Sequence, residues 1–298
     1  MKIHPENYIN PKIINKSKGI GEILINALVN GLSLLVRRPY LILASLIFSA
    51  ISMVAFFLNA ETITYFFLNI AYGIIPNISP KTMLFDFILM YSNEIIVLLA
   101  VFLFTILMNF LTYAVYSAYV KENNEGKKGG VSFGASFKEG LSKTLPLLGF
   151  VLIIFFLGLF LAAVCLLLMW FAGNNFLANI AIAILIAILL IYLLVKLIFV
   201  VPAIFDAEAK ASSGRIKAKN SILAQAISKS WNFSSRKFMA IFILIVILAL
   251  INAFFSTLIG SFVYPILDEN IKLAAATVLT AILTTYSCIV LAMFYFKK

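Results

Sequence analysis

A single lysine lies inside one of the longest apolar runs of this chain, where an ionisable side chain is costly. The run covers residues 177–205 and contains Lys196, and Pro202 follows within the same run. A charged side chain in a segment of this kind marks either a pathway for a substrate or ion, or a charge that needs a partner. Lys196 and Pro202 are therefore the first candidates for function.

Three explanations of Lys196 follow from its position. As a helix the run would be about 43 Å long, which exceeds the roughly 30 Å of bilayer hydrocarbon. Its cytoplasmic end is therefore expected to project from the hydrocarbon or to kink at Pro202. We predict that Lys196 then reaches lipid phosphate by snorkelling. Two alternatives stay open: a buried partner, such as Tyr192, Asn109 or a carbonyl freed by Pro202, and a role in moving an anion or a proton.

The other chemically active residues do not form a recognisable site. His4 is the only histidine and lies near the start of the sequence, so neither a Ser-His-Asp triad nor a histidine-based metal cluster is predicted. The close acidic pairs Asp206 with Glu208 and Asp268 with Glu269 lie at predicted membrane boundaries. We interpret them as solvated loop charges, and we predict no catalytic residue, no cofactor and no metal.

The composition places all of this in a membrane. Hydrophobic residues make up 63% of the chain, charged residues only 12%, and the mean hydropathy is +1.07. An ordinary soluble domain has about 25% charged residues. Windows of about 20 apolar residues are long enough to span the hydrocarbon. We predict an all-α polytopic bundle with six transmembrane helices, at residues 40–59, 95–120, 147–172, 177–205, 239–262 and 273–296.

A further apolar run at residues 62–75 is too short to be a seventh span. As a helix it would reach only about 21 Å. A seventh helix would also place the basic loops on alternating sides of the membrane, against the positive-inside rule. We expect this run to lie at the outer interface.

The basic residues predict the orientation. Lysine and arginine are concentrated in residues 1–39, 121–146 and 206–238 and at the C-terminus, whereas the three other connections contain only Lys81 and Lys272. The positive-inside rule therefore places both termini in the cytoplasm of a cell-membrane protein. The net charge of +11 accordingly points to anionic lipid headgroups on the cytoplasmic side and not to nucleic acid.

Each predicted pair of spans is preceded by a segment with a helical period. The first ends at Pro39, the second covers residues 131–146 and ends at Pro146, and the third covers residues 215–233. We expect each to form an amphipathic helix on the inner leaflet. Alternatively, these segments are hydrophobic linkers that rest on lipid.

The faces of these helices follow from the spacing. In the second helix, the predicted polar face is Ser132, Ser136, Glu139 and Lys143, and the predicted apolar face is Phe133, Phe137 and Leu141. In the third helix, the predicted apolar residues include Leu223, Ile227 and Trp231, and the predicted polar residues include Gln225, Ser228 and Asn232.

The chain is predicted to be one membrane domain, residues 1–298, made of three similar units. Residues 18–120, 131–205 and 215–298 each contain an interfacial helix followed by two spans. The units share few identical residues, so whether they arose by duplication stays open.

Every predicted span also has a stripe of small or polar residues. The most polar stripes contain Ser45, Ser49, Ser52, Thr105, Asn109, Thr112, Tyr116, Asn252, Thr277, Thr280, Thr284 and Ser287. Such stripes are typical of tight helix packing. Alternatively, they converge on a hydrated or lipid-accommodating cavity, in which case Asn109 and Asn252 are the predicted lining residues.

Two short motifs resemble a known group of proteins. VPAIFDAE at residues 201–208 closes the fourth span, and AISKSW at residues 226–231 precedes the fifth. In these motifs and in topology the chain resembles the six-helix membrane domain of glycerophosphodiester phosphodiesterases and related uncharacterised prokaryotic membrane families. The resemblance implies a fold. The hydrolytic activity of those enzymes belongs to a separate soluble barrel, for which no segment of this sequence is long enough, so no catalytic residue is carried over.

Three functions remain at this point. The first is a non-enzymatic, multi-pass membrane protein that supports the membrane or a membrane partner through inner-leaflet contacts. The second is a permease or channel component for a small neutral, anionic or lipid-like solute. The third is an intramembrane enzyme acting on lipid. The sequence does not identify a protein partner or an oligomeric state.

Overall fold

The computed structural model describes residues 19–71, 90–124, 132–173, 175–212, 222–262 and 268–296. Within these ranges the chain is α-helical and contains no strand. Six segments are long and apolar enough to cross a bilayer: Pro39–Leu58, Ser92–Asn124, Thr144–Ala172, Phe176–Ala207, Phe238–Ser261 and Ala274–Phe296. The predicted multi-pass, six-span bundle is confirmed, with ends that differ from the prediction by a few residues.

The helices follow one another with short connections. They are α1 (Ile20–Arg37), α2 (Ile42–Leu58, after a 3-10 turn at Pro39–Leu41), α3 (Ala60–Ala71), α4 (Ser92–Asn124), α5 (Phe133–Ser142), α6 (Thr144–Ala172), α7 (Phe176–Leu197), α8 (Val200–Ser212), α9 (Ile222–Arg236), α10 (Phe238–Phe262) and α11 (Glu269–Phe296). Helix α3 lies within the short run 62–75 and is not among the candidate spans. Both chain termini lie outside the described residues.

The fourth span is divided into α7 and α8, as predicted from Pro202. Helix α7 ends at Leu197 and α8 begins at Val200. Proline has no N–H group, so Pro202 cannot donate to the carbonyl of Ile198, and the helical hydrogen-bond pattern is interrupted there. Lys196 therefore lies in the last turn of a helix.

The core of the bundle is formed by the second span of each predicted unit. The fully buried stretches are Leu111–Val120 of α4, Phe199–Phe205 across the start of α8, and Ile289–Tyr295 of α11. These stretches belong to one contiguous cluster of buried side chains. Each stretch lies near the end of its span that leads to a basic segment of the sequence. We call this end of the molecule the basic end.

Three short helices pack around this core. Helix α5 packs on α4, α9 packs on α7 and α8, and α1 packs on α11. Each of these helices therefore contacts the second span of the preceding unit, and α1 closes the circle on the last span. We call α1, α5 and α9 the collar helices. They are helices packed on the spans, which excludes the alternative of linkers resting on lipid.

The collar helices contact the spans through small residues. A side chain on Gly31 would lie 2.6 Å from Val290 Cγ2 of α11, and one on Gly140 would lie 2.7 Å from Val115 Cγ2 of α4. In α9 the buried positions are Ala226, Ser230 and Ser234. Small residues allow helix backbones to approach closely.

These contacts correct the predicted faces of two collar helices. Ser136, assigned to the polar face of α5, is fully buried, and Leu141 of the predicted apolar face is exposed. In α9 the buried face consists of small residues, and Trp231 is partly exposed. Hydropathy did not reveal this because close backbone approach depends on side-chain size.

The prediction for Pro146 was also wrong. Helix α5 ends at Ser142, and Pro146 lies in the first turn of α6. The first helical turn tolerates proline because its N–H groups have no intrahelical acceptor. Pro39, in contrast, follows the end of α1 as predicted.

Helix α1 has three distinct faces. Leu24, Ala27 and Leu35 are buried, as predicted for its apolar face. A second apolar stripe is exposed and consists of Ile25, Val29, Leu32 and Val36. The polar stripe consists of Glu22, Asn26, Asn30, Ser33 and Arg37. One helix therefore presents separate surfaces to the protein and to two different surroundings.

Replacing Gly140 with alanine should destabilise the protein, because the new Cβ would also lie 2.8 Å from the backbone nitrogen of Val115. Overpacking of this kind costs about 1–3 kcal/mol. Gly158→Ala is the matched control, since no atom lies within 4 Å of a Cβ at that position. The free energy of unfolding, measured by SDS titration in mixed micelles, should fall only for Gly140→Ala. Equal values for the two variants would contradict the close α4–α5 contact.

Candidate functional site

Cationic side chains at the basic end contact aromatic rings in the same way in all three units. Arg38 lies over the ring of Tyr119 at 5.6 Å, Lys143 over Phe205 at 5.8 Å, and Lys237 over Phe294 at 5.5 Å. Each cation lies at the start of a unit's first span, and each ring lies near the end of its second span. A cation over an aromatic face contributes about 0.5–2 kcal/mol.

Arg38 and Lys121 add polar contacts to this arrangement. The Arg38 guanidinium donates a hydrogen bond to the hydroxyl of Tyr119, which also lies 3.3 Å from the hydroxyl of Tyr40. Burial lowers the pKa of Arg38, but its interactions with Tyr119 and Tyr40 outweigh this and raise the pKa above its ordinary value. Lys121 Nζ donates to the carbonyl of Phe205 at 3.2 Å.

These contacts bring the basic residues together at one end. The described cationic side chains there are Arg37, Arg38, Lys121, Lys138, Lys143, Lys196, Lys229, Arg236 and Lys237. The described acids near them are Glu122, Glu139 and Asp206. Among the described residues of the opposite end, Lys272 is accompanied by Glu61, Glu94 and Asp268. The structure therefore separates charge along the bundle.

Lys196 is only 5% exposed and is held by helix α9. Its ammonium donates a hydrogen bond of 2.5 Å to the hydroxyl of Ser235. It also lies 5.2 Å from the ring centroid of Tyr192 and 5.1 Å from that of Trp231. The two rings meet edge to face at 6.0 Å. We call Lys196, Tyr192, Trp231 and Ser235 the lysine clamp.

The break at Pro202 supports the clamp. Because α7 ends at Leu197, Lys196 lies at the negative end of the helix dipole, where a cation is favoured. The carbonyls of this last turn have no helical donor. The carbonyl of Lys196 instead accepts a hydrogen bond of 2.7 Å from Ser230 of α9. Pro202 and Lys196 therefore belong to one local arrangement, which joins α7 to α9.

The contacts of Lys196 favour the buried-partner explanation over snorkelling. Tyr192, one of the partners considered from the sequence, contacts the ammonium. Trp231 and Ser235 were missed, although Trp231 lies in the AISKSW motif. No pattern within the fourth span indicates a partner 35 or more positions later in the chain. Asn109 is not a partner, since its side chain bonds to its own helix.

The two candidate asparagines lie in different surroundings. Asn109 is exposed on the surface of α4, and its amide donates to the carbonyl of Thr105 at 3.0 Å. Asn252 lies between α10 and α11, and its amide donates to Ser287 at 3.5 Å. The carbonyl oxygen of Asn252 is buried without a hydrogen-bond partner in the described structure. Neither asparagine lines the cavity described below.

A buried polar cluster joins α2, α4 and α11. The hydroxyl of Tyr116 donates to the carbonyl of Leu41 at 2.6 Å and lies 2.9 Å from the hydroxyls of both Ser45 and Thr285. Those two hydroxyls are 2.8 Å apart. The backbone N–H of Ser45 also donates to Tyr116, at 3.2 Å. We call Ser45, Tyr116 and Thr285 the hydroxyl junction.

The polar stripes of the same three helices converge beyond this junction. A cavity of about 420 Å³ opens there, in the half of the bundle away from the basic end. Its lining residues are Ser49, Ser52, Met53, Phe56, Phe57, Thr105, Ala276, Thr277 and Thr280. The same stripes therefore both pack tightly, at Ser45 and Thr285, and line a cavity, at Ser49 and Thr280.

A spacing in the sequence could have indicated the collar contacts. Gly31, Ser136 and Ser230 are all buried, and each precedes a cation of the repeated aromatic contacts by seven residues. This small-residue position is the signal that hydropathy alone did not provide. Within the described part of the chain, no group of three metal-ligating side chains comes together.

Comparisons with known proteins give no match to a family model, to a curated protein or to a solved structure. The resemblance to the membrane domain of glycerophosphodiester phosphodiesterases stays a prediction from the motifs.

Replacing Trp231 with leucine should lower the free energy of unfolding by about 1–2 kcal/mol, because Lys196 loses one aromatic face. In a Lys196→Met background the same replacement should cost less. This double-mutant cycle is measured by SDS titration. Trp170→Leu is the matched control, because Trp170 is 77% exposed and lies on α6. A cycle with no coupling energy would show that the clamp does not stabilise the ammonium.

Tyr116→Phe should also destabilise the bundle, by about 1–3 kcal/mol, because buried groups at Ser45, Leu41 and Thr285 lose a shared partner. Tyr65→Phe serves as the control, since Tyr65 is exposed on α3. Thermal unfolding followed by circular dichroism compares the two variants with the native protein. An unchanged transition for Tyr116→Phe would mean that the hydroxyl junction contributes no net stability.

Proposed function

We propose that this chain is a non-enzymatic, multi-pass membrane protein whose basic end binds the anionic inner leaflet of a cell membrane. The observation that carries the proposal is the charge separation along the bundle, with cationic side chains gathered at one end by contacts between all six spans and the collar. A basic side chain near an anionic surface contributes about 1 kcal/mol.

The collar gives this end its shape. Each collar helix carries an exposed cationic side chain: Arg37 on α1, Lys138 on α5 and Arg236 on α9. These three residues come from different units, so the basic surface surrounds the core. The positive-inside rule supports a cytoplasmic position for this surface.

Helix α1 fits the boundary between hydrocarbon and headgroups. Its buried face packs on α11, its exposed apolar stripe suits contact with acyl chains, and its polar stripe suits headgroups and water. A helix with separate apolar and polar exposed faces is typical of an interfacial position. This arrangement supports a role at the inner leaflet.

A permease for a small neutral, anionic or lipid-like solute would need a path through the basic end. The hydroxyl junction and the buried stretch Leu111–Val120 fill that region in the described structure. An intramembrane enzyme would need a nucleophile or metal set, which no geometry described above supplies. The proposed resemblance to the phosphodiesterase membrane domain is compatible with a membrane role without hydrolysis.

The proposal predicts that three substitutions together reduce preference for anionic lipid. The variant Arg37→Gln/Lys138→Gln/Arg236→Gln removes one exposed charge from each collar helix. In vesicles containing phosphatidylcholine and spin-labelled phosphatidylglycerol, the labelled anionic lipid should be enriched around the native protein and less enriched around the variant. Raising the salt concentration should weaken the enrichment around the native protein.

Lys272→Gln is the control, because Lys272 lies at the opposite end of α11. Its lipid preference should match that of the native protein. The same vesicles loaded with a panel of solutes test the permease alternative. Equal enrichment around native protein and triple variant, or protein-dependent solute flux, would overturn the proposed function.

A further inference from the structure

The cavity between α2, α4 and α11 has a shape and depth that suit one kind of ligand. Its volume of about 420 Å³ lies within the range of ligand-binding cavities, about 300–1,000 Å³. Along α2 its lining extends from Ser49 to Phe57, a distance of about 12 Å at 1.5 Å per residue. Half of the bilayer hydrocarbon is about 15 Å thick. The cavity therefore matches the depth of one leaflet.

The lining has no charge to recognise a polar headgroup or an ion. Its residues are aliphatic, aromatic and hydroxyl-bearing. The hydroxyls of Ser52 and Thr105 donate to carbonyls of their own helices, Phe48 at 2.9 Å and Val101 at 2.8 Å. Their hydrogen-bonding capacity is thus used mainly within the protein, and the surface offered to a ligand is largely apolar.

The cavity is closed on one side and open on another. Towards the basic end it meets the hydroxyl junction, where Ser45 and Thr285 are almost completely buried. At its other edge Phe56 and Phe57 are both exposed, and so is Thr280. In a chain that spans a bilayer, these exposed side chains face lipid. A ligand can therefore enter from the leaflet without crossing water.

We propose that this cavity binds one acyl chain of a membrane phospholipid from the leaflet opposite the basic end. The chain lies between α2 and α11 and ends against the hydroxyl junction. This inference goes beyond the proposed function, which concerns headgroups at the basic end. The uncharged lining selects the acyl chain and leaves the headgroup of this lipid in the interface.

The test uses the full chain reconstituted in phosphatidylcholine nanodiscs. The probe is a phosphatidylcholine that carries a photoactivatable diazirine in the middle of one acyl chain. After irradiation, mass spectrometry of peptides locates the attached lipid. Crosslinks to the peptides containing Met53 and Thr277 should exceed by severalfold those to the exposed surface of α7.

Two variants fill the cavity from different walls, Ala276→Phe from α11 and Ser52→Leu from α2. Either variant that remains monodisperse in size-exclusion chromatography should lose most crosslinks at the facing wall of the cavity. Ala183→Phe is the matched control, because Ala183 lies on the exposed surface of α7. It should leave crosslinking at the cavity unchanged.

Three results would overturn the assignment. The first is crosslinking at the cavity no stronger than at α7. The second is unchanged crosslinking in a folded cavity-filling variant. The third is displacement of the probe by free fatty acid but not by unlabelled phosphatidylcholine, which would identify a different ligand. Changes in anionic-lipid preference bear on the basic end alone, so the two proposals fail independently.

Discussion

The structure depends on the cost of placing cationic side chains beside hydrocarbon. A lysine in the centre of a membrane helix costs about 2.5–3.5 kcal/mol on insertion scales. In this protein the basic side chains nearest to the spans have aromatic, hydroxyl or carbonyl partners: Arg38 has Tyr119, Lys143 has Phe205, and Lys196 has the clamp. Because each partner comes from another helix, satisfying the charges also fixes how the helices meet.

This requirement explains why the core lies at one end of the bundle. The buried stretches of α4, α8 and α11 lie beside the cationic contacts, and the collar helices cover them from outside. Most residues in the most apolar windows of the six spans are not buried against other parts of the chain. Lipid is an adequate partner for those apolar surfaces, so no comparable packing is needed there. The cavity lies in this less constrained half.

The collar connects the two proposed lipid contacts. Small residues such as Gly140 and Ser230 let α5 and α9 pack close to the spans, which positions their charges around the basic end. The hydroxyl junction holds α2, α4 and α11 together at the same end, and beyond it the helices leave room for a ligand. A protein with this arrangement contacts headgroups at one face and acyl chains at the other.

The sequence alone determined the number of spans, the all-α class, the division of the fourth span at Pro202 and the existence of three collar helices. These features depend on local properties: hydropathy over about 20 residues, helical period and the missing N–H of proline. The tertiary structure decided which face of each collar helix is buried, as Ser136 and Ser230 show. It also decided that Lys196 contacts Trp231 and Ser235, and that Ser49 lines a cavity whereas Ser45, one turn away, does not. Those outcomes depend on distances between helices, which side-chain size and close approach control and which hydropathy along one helix does not encode.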